Sequence, residues 1–233
     1  MGVGVSTMGI TYEDRVDLAP NVPGWSHLRL PPLFRKAFPS LPLAIENDVK
    51  AACLAERRWG VLRAFPDSAY LNLGTGVEIA VSIGGELWKG VHGASGEIAY
   101  AWEYRQAGYA DGHAPFEERY GGGALDARVH RQFPEFGGLV DACRQRDRAD
   151  VEAYLTEVFE HLAHQVGQAL LILDVEAVAV GGGMAQQWAW IEPVFVREWA
   201  QHLPYPPKLL RSAFAENAGL MGAFALAWTE VGR

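Results

Sequence analysis

Ten residues, "VEAVAVGGGM" from Val175 to Met184, constrain the fold more than any other stretch of this chain. A continuous apolar run without polar alternation suits a strand covered on both faces. A glycine triplet then permits close approach of a flat or phosphorylated ligand, and a new helix follows over "AQQW". Ahead of it, a long helix is expected from near Asp150 to Leu173, with Val151, Leu155, Val158, Leu162 and Val166 on one stripe. Helix, buried strand, glycine turn and helix in that order are the grammar of a parallel strand feeding a ligand loop, so the chain is read as α/β. The triplet is neither a dinucleotide fingerprint nor a P-loop.

The rest of the chain has the same alternation. A strand begins at the very first residues, "GVGVS", and opens into a loop thick with Gly, Pro, Asn and Asp. "HLRLPPLFRKAF" supplies a short helix, and "LPLAIEND" a second buried strand that closes on Glu46-Asn47-Asp48. Val49 to Gly60 carries alanines and leucine at helical spacing, late basic residues and a glycine stop. "AYLNLGTGVEIAVSIGGELWKG" alternates as an antiparallel meander, turning at Gly74-Thr75-Gly76 and at Gly84-Gly85. A glycine-punctuated, aromatic region follows, and helices resume from about Ala124. A strand near "KLLRSAF" and a small-residue helix, "AGLMGAFALAW", finish the chain.

Composition excludes several classes. With 49% hydrophobic and 21% charged residues over 233 positions, the chain can build a sizeable core. Its net charge of -8, without a block of like charges, disfavours direct nucleic-acid binding. No run approaches the roughly 18 apolar residues of a membrane span, and the start lacks a basic signal region, so a cytoplasmic protein with no membrane partner is expected. Cys53 and Cys143 are far apart, and Cys53 reads as a packed helix residue. His161 and His164 have no ligand constellation beside them, so no metal site is expected from the residues.

Several residues could carry chemistry, each with a plainer alternative. Asn47 and Asp48 end a buried strand, where open α/β sheets expose their crevice. An aspartate there could take the proton of an attacking hydroxyl, yet Asn and Asp also cap helices. The glycines of Gly74-Thr75-Gly76 would let backbone N–H groups approach an anion, with the threonine hydroxyl as one more donor; a hairpin turn explains them equally well. Glu78 lies two residues beyond, where its charge would repel phosphate if it faced the same space. Glu97 in "GASGEIAY" and Glu117 in "PFEERYGGG" sit in glycine-rich surroundings suited to vicinal sugar hydroxyls, or are solvent-facing loop charges.

Taken in order, "VGVSTMGI", "DLAPNVPGW", "LPLAIENDVKAACLAE", "LNLGTGVEIAVSIGGELWKGVHGASGEIAY", "FEERYGGGAL", "VEAVAVGGGM" and "GLMGAFALA" resemble the ROK family of repressors, open reading frames and sugar kinases over nearly the whole chain. The resemblance implies a ribonuclease H-like fold of the actin-like ATPase and hexokinase type. It implies an ATP-dependent hexose kinase, glucokinase-like, or alternatively the sugar-sensing effector domain of a transcriptional regulator. On that footing Asp48 is the catalytic base, and Asn21, Asn47, Glu97 and Glu117, or Glu118 after a slip of one, contact sugar. Gly74, Thr75 and Gly76 meet the ATP phosphates, Gly181, Gly182 and Gly183 the adenosine, and Mg²⁺ accompanies ATP. Homo-oligomers are common in the family.

Three departures from the family pattern shape further expectations. The Asp-x-Gly-Gly-Thr phosphate loop with which the family opens does not occur here, so residues 1–48 are expected to be the remnant of an N-terminal domain. Residues 49–233 would be the C-terminal domain, with the last helix, about 218–230, packing back toward the N-terminal part. Such a truncated chain is expected to be weak or inactive, and its cut sheet to leave an apolar edge that promotes self-association unless covered. Tyr100 stands where many members have a zinc-binding histidine and no cysteine cluster follows, so no structural zinc is expected. The phosphate turn continues as Val77-Glu78-Ile79-Ala80 rather than with more glycines.

Overall fold

The computed structural model describes residues 1–19, 22–25, 28–103, 105–145 and 147–231. In chain order its elements are β1 (Val3–Thr7), β2 (Ile10–Thr11), β3 (Val16–Asp17), α1 (Leu30–Ala37), β4 (Leu43–Asn47), α2 (Asp48–Trp59), β5 (Ser68–Leu73), β6 (Val77–Ile83) and β7 (Glu86–Trp88). There follow α3 (Pro115–Tyr120), α4 (Gly122–Gln132), α5 (Leu139–Cys143), α6 (Ala149–Leu173), β8 (Ala177–Gly181), α7 (Trp188–His202), β9 (Lys208–Arg211) and α8 (Ala218–Val231). The fold is mixed α/β. Strands β7-β6-β5-β8-β9 form one sheet in that order, β6 and β7 antiparallel, β8 and β9 parallel.

Two compact units divide the chain: Met1–Tyr70, Ile79–Gly96 and Ala213–Arg233 in the first, Leu71–Glu78 and Glu97–Ser212 in the second. In the first unit β1 pairs in parallel with β4, from Val3 opposite Leu43 to Thr7 opposite Asn47. Helix α8 lies against α2, β1 and β4. Small residues allow this close packing: Ala51, Ala52, Cys53 and Ala55 of α2 and Ala225 of α8 are all buried. Burial pushes the Cys53 thiol up to about 12, as fits a packing residue.

The second unit is organised by α6, whose expected stripe of Val151, Leu155, Val158, Leu162 and Val166 is buried. Helix α7 packs on it, and the Trp199 indole donates to the Ala163 carbonyl at 2.9 Å, satisfying a polar group that burial would otherwise leave unpaired. Strand β8 is buried at every position, as its unbroken apolar run requires.

Helical structure resumes earlier than Ala124. Pro115 stands in the first turn of α3, where a missing N–H costs nothing, and Gly121 serves as the N-cap of α4, so residues that read as loop punctuation are helix starts. Among the described residues no helix is long and apolar enough to cross a membrane.

Candidate functional site

In the first unit, the backbone gives the capping role to one of two neighbours. Asn47 is the N-cap of α2: its Oδ1 accepts the N–H groups of Val49 and Lys50, each at 2.9 Å, and the residue is buried. Asp48 is therefore the first helical residue rather than the cap. Its Oδ1 accepts the Val49 N–H at 3.0 Å, and its side chain opens on a groove of about 680 Å³ that Thr7, Trp25, Phe34 and Leu220 also line. The Trp25 indole donates to the Thr7 hydroxyl at 3.2 Å, and Thr7 lies opposite Asn47 in the β1–β4 register.

Solvent reaches Asp48, yet the protein around it is dense enough that desolvation raises its carboxyl above the ordinary 3.8. Hydrogen bonds from the backbone and the charge of buried Lys50 oppose the rise without cancelling it. Asp48 is thus a carboxylate of raised proton affinity, anchored to the backbone and facing a groove.

In the second unit three glycine segments converge. Gly74-Thr75-Gly76 is the bend between β5 and β6. Within it the Gly74 N–H donates to the Gly76 carbonyl at 3.1 Å, while the Gly122 N–H donates to the Gly74 carbonyl at 2.8 Å. Glu117 stands on α3 rather than in a loop, and its Oε2 accepts the Val77 N–H at 3.2 Å. Gly76 is what lets that carboxylate approach, since a Cβ there would lie 2.4 Å from Oε2. Gly182, at φ 82°, lies so close to Leu73 that a Cβ would come within 2.5 Å of its carbonyl oxygen. Glycines from three distant segments thus let neighbouring backbone and the Glu117 carboxylate pack closely around a turn whose Thr75 stays exposed.

The hairpin geometry also limits which donors an anion could use. The N–H groups of Gly74 and Val77 are engaged, so Thr75, through its N–H and hydroxyl, and the N–H of Gly76 are the groups the turn would offer a phosphate. Glu78 is half-buried on β6, between buried Val77 and Ile79.

Glu97 and Glu117 act on one common group. Burial first, then the charges of Glu97, Glu117 and Tyr109, push the Tyr100 hydroxyl up to about 12. Glu118, one residue on, is turned elsewhere: its carboxylate takes the Ala114 N–H at 3.0 Å and His113 at 3.1 Å, which hold it below the usual range. Asn21 lies outside the described residues. Among those described, no group of three or more His, Cys, Asp or Glu could hold a metal ion.

Beside this corner Glu46, which the sequence places at the strand end without a role, meets Lys89 Nζ at 2.5 Å. The signal was present in that Glu46 immediately precedes Asn47 on a buried strand, an expensive place for a charge unless something holds it.

The chain belongs to the ROK family, whose model matches residues 1–230. It is 27% identical over 238 residues to the glucokinase of Aeropyrum pernix, covering 90% of this chain and 73% of that protein. Over 102 residues, 43% of this chain and 25% of the relative, it is 30% identical to the xylose repressor of Caldicellulosiruptor bescii. The ROK hexokinase of Thermus thermophilus superposes with a TM-score of 0.82 at 24% identity, over 99% of this chain and 80% of the other. A ROK glucokinase of Streptomyces griseus, solved with glucose and AMPPNP, gives 0.81 at 23% identity over 98% and 81%. The fold is that of the ROK sugar kinases, the actin-like ATPase and hexokinase fold.

Proposed function

We propose that this chain carries the sugar-kinase chemistry of its family, transfer of the γ-phosphoryl group of ATP to a hexose hydroxyl in a glucokinase-like reaction. The observation that carries the reading is Asp48: anchored at the head of α2, open to a groove, and with its proton affinity raised by desolvation. Asp48 takes the proton of the attacking hydroxyl as the oxygen approaches phosphorus, and the ring is held by Asn47, Glu97 and Glu117, with Asn21 as a further contact. The similarity to the Aeropyrum pernix glucokinase over most of the chain supports a hexose acceptor.

ATP is assigned to the second unit's glycine turns, where close backbone packing at Gly182 and Gly122 holds the Gly74-Thr75-Gly76 bend in place and leaves Thr75 exposed. Thr75 and Gly76 would meet its phosphates, and Gly181 to Gly183 its adenosine. Magnesium bound with the nucleotide would neutralise the transferring phosphoryl group, held chiefly by the phosphates themselves. Preorganised donors of this kind are worth roughly 3 kcal/mol each when aimed at developing charge.

A second reading, the sugar-sensing effector part of a transcriptional regulator, is favoured by the similarity to the xylose repressor. An ADP-release assay over a panel of hexoses separates the two. Turnover that Asp48→Asn abolishes while sugar binding persists supports the kinase; sugar binding without any ADP release overturns it in favour of the sensor.

A further inference from the structure

We propose that Glu46 and Lys89 form a positioning pair that fixes the Asn47–Asp48 corner and the loop leading to Glu97 in one geometry. The inference rests on reading that corner as the sugar-facing end of β4. Glu46 is 5% exposed and uses both oxygens: Oε1 accepts the Asn47 N–H at 2.9 Å, and Oε2 meets Lys89 Nζ at 2.5 Å. The first contact sets the peptide plane that enters α2. That plane leads directly into the turn that orients Asp48, since Asn47 caps the helix through Val49 and Lys50 and Asp48 shares the Val49 N–H.

The second contact reaches a different segment. Lys89 follows β7 and begins a loop that closes on itself: its carbonyl accepts the Ser95 N–H at 3.1 Å, the Ser95 hydroxyl donates to the Trp88 carbonyl at 2.5 Å, and the Gly96 carbonyl accepts the Ile79 N–H at 3.0 Å. The next residue in the chain is Glu97. One carboxylate therefore ties the peptide before Asp48 to the 89–96 loop, both within the first unit.

Stability alone gives a weak reason for this arrangement. The desolvation of a buried carboxylate is at best offset by a single ion pair, and an apolar residue on β4 would stabilise the strand as well or better. Lys89 fills no core, its side chain being 57% exposed. What the pair supplies is a fixed spacing, within the first unit, between the β4–α2 corner and the 89–96 loop, which a sugar bound at that corner needs.

The test compares the unsubstituted chain with Glu46→Gln/Lys89→Met, which removes both charges together and leaves an amide oxygen for the Asn47 N–H. Expected are a melting temperature close to the parent's, faster amide exchange over 89–96, and calorimetric glucose affinity weaker by about tenfold, with KM rising more than kcat falls. Lys89→Arg alone, which can still pair with Glu46, should keep both readouts at the parent's values. Unchanged exchange over 89–96 and unchanged glucose affinity in the double variant would overturn the proposal. If the double variant does not fold, Lys89→Gln alone is read by the same two measurements. Should the unsubstituted chain bind no hexose, the sugar-site reading fails, while amide exchange at Asn47 and over 89–96 still decides whether the pair holds the two segments.

Discussion

The buried carboxylate of Glu56 accepts the backbone N–H of Ala213 at 2.8 Å, across 157 residues of chain. It also takes the N–H of Phe214 at 3.3 Å, and through its other oxygen the N–H of Val61 at 2.9 Å. Ala213 is where the chain re-enters the first unit after Ser212, so this side chain of α2 fastens the returning strand end that leads into α8. Glu56→Ala should leave three donors without their acceptor and cost about 3–5 kcal/mol, whereas Glu56→Gln, which keeps one acceptor oxygen, should cost less than half of that. Urea unfolding of the three proteins checks the order; equal midpoints for Glu56→Ala and the parent would refute the fastening role.

Two glycines of the second unit should respond differently to the same added methyl. At Gly76 the methyl meets the tip of the Glu117 side chain, which can swing away and give up the Val77 N–H, so Gly76→Ala should cost only about 1 kcal/mol. That cost should disappear in a Glu117→Ala background. At Gly182 the methyl meets the Leu73 carbonyl, part of the sheet backbone, at a residue with φ of 82°, so Gly182→Ala should cost about 3 kcal/mol or more. Thermal unfolding of the four variants tests the contrast, and a Gly76→Ala penalty as large as that of Gly182→Ala would count against the geometry of the turn.

The contrast also marks what a sequence can and cannot disclose. Local periodicity carried α2, α6 and β8, because alanine and leucine spacing, a five-residue apolar stripe and an unbroken apolar run are each properties of neighbouring residues. The pairing of Glu117 with Val77 spans 40 residues and has no local signature, so the sequence leaves Glu117 between a sugar-facing and a solvent-facing carboxylate and does not show that Pro115 starts a helix carrying it. Asn47 and Asp48 show a finer limit. Either residue type can cap a helix, and only the backbone decides that Asn47 does so and leaves Asp48 to the groove.

Both thiols should be silent in the native protein. Cys53 and Cys143 are buried and unpaired with each other, and burial pushes Cys53 up to about 12, so at pH 8 almost none of it is thiolate. A disulfide reagent added at pH 8 should react slowly with the folded chain and titrate both cysteines promptly in denaturant. Fast stoichiometric reaction of Cys53 without denaturant would show that α2 opens readily.

Asp48 links the proposed chemistry to stability with a definite sign. Its carboxyl is raised above 3.8 mainly by desolvation, so the folded state binds the proton more tightly than the unfolded chain does. Below the unfolded value both states are protonated and the residue is without electrostatic cost. As pH rises through the raised folded value, ionisation in the dense surroundings of the groove removes stability, and the loss is complete above it. Asp48→Asn cannot ionise and should therefore melt at a higher temperature than the parent near pH 7, with the difference shrinking toward pH 4 and vanishing below it. In the same titration the parent's turnover should fall as pH drops through the folded value, since only the ionised carboxylate accepts the hydroxyl proton, and the variant should lose about 10²- to 10⁴-fold in kcat at neutral pH. Parallel melting curves against pH for parent and variant, with a constant or reversed gap, would mean that Asp48 is not raised in the fold, and the case for it as the base would lose its physical ground.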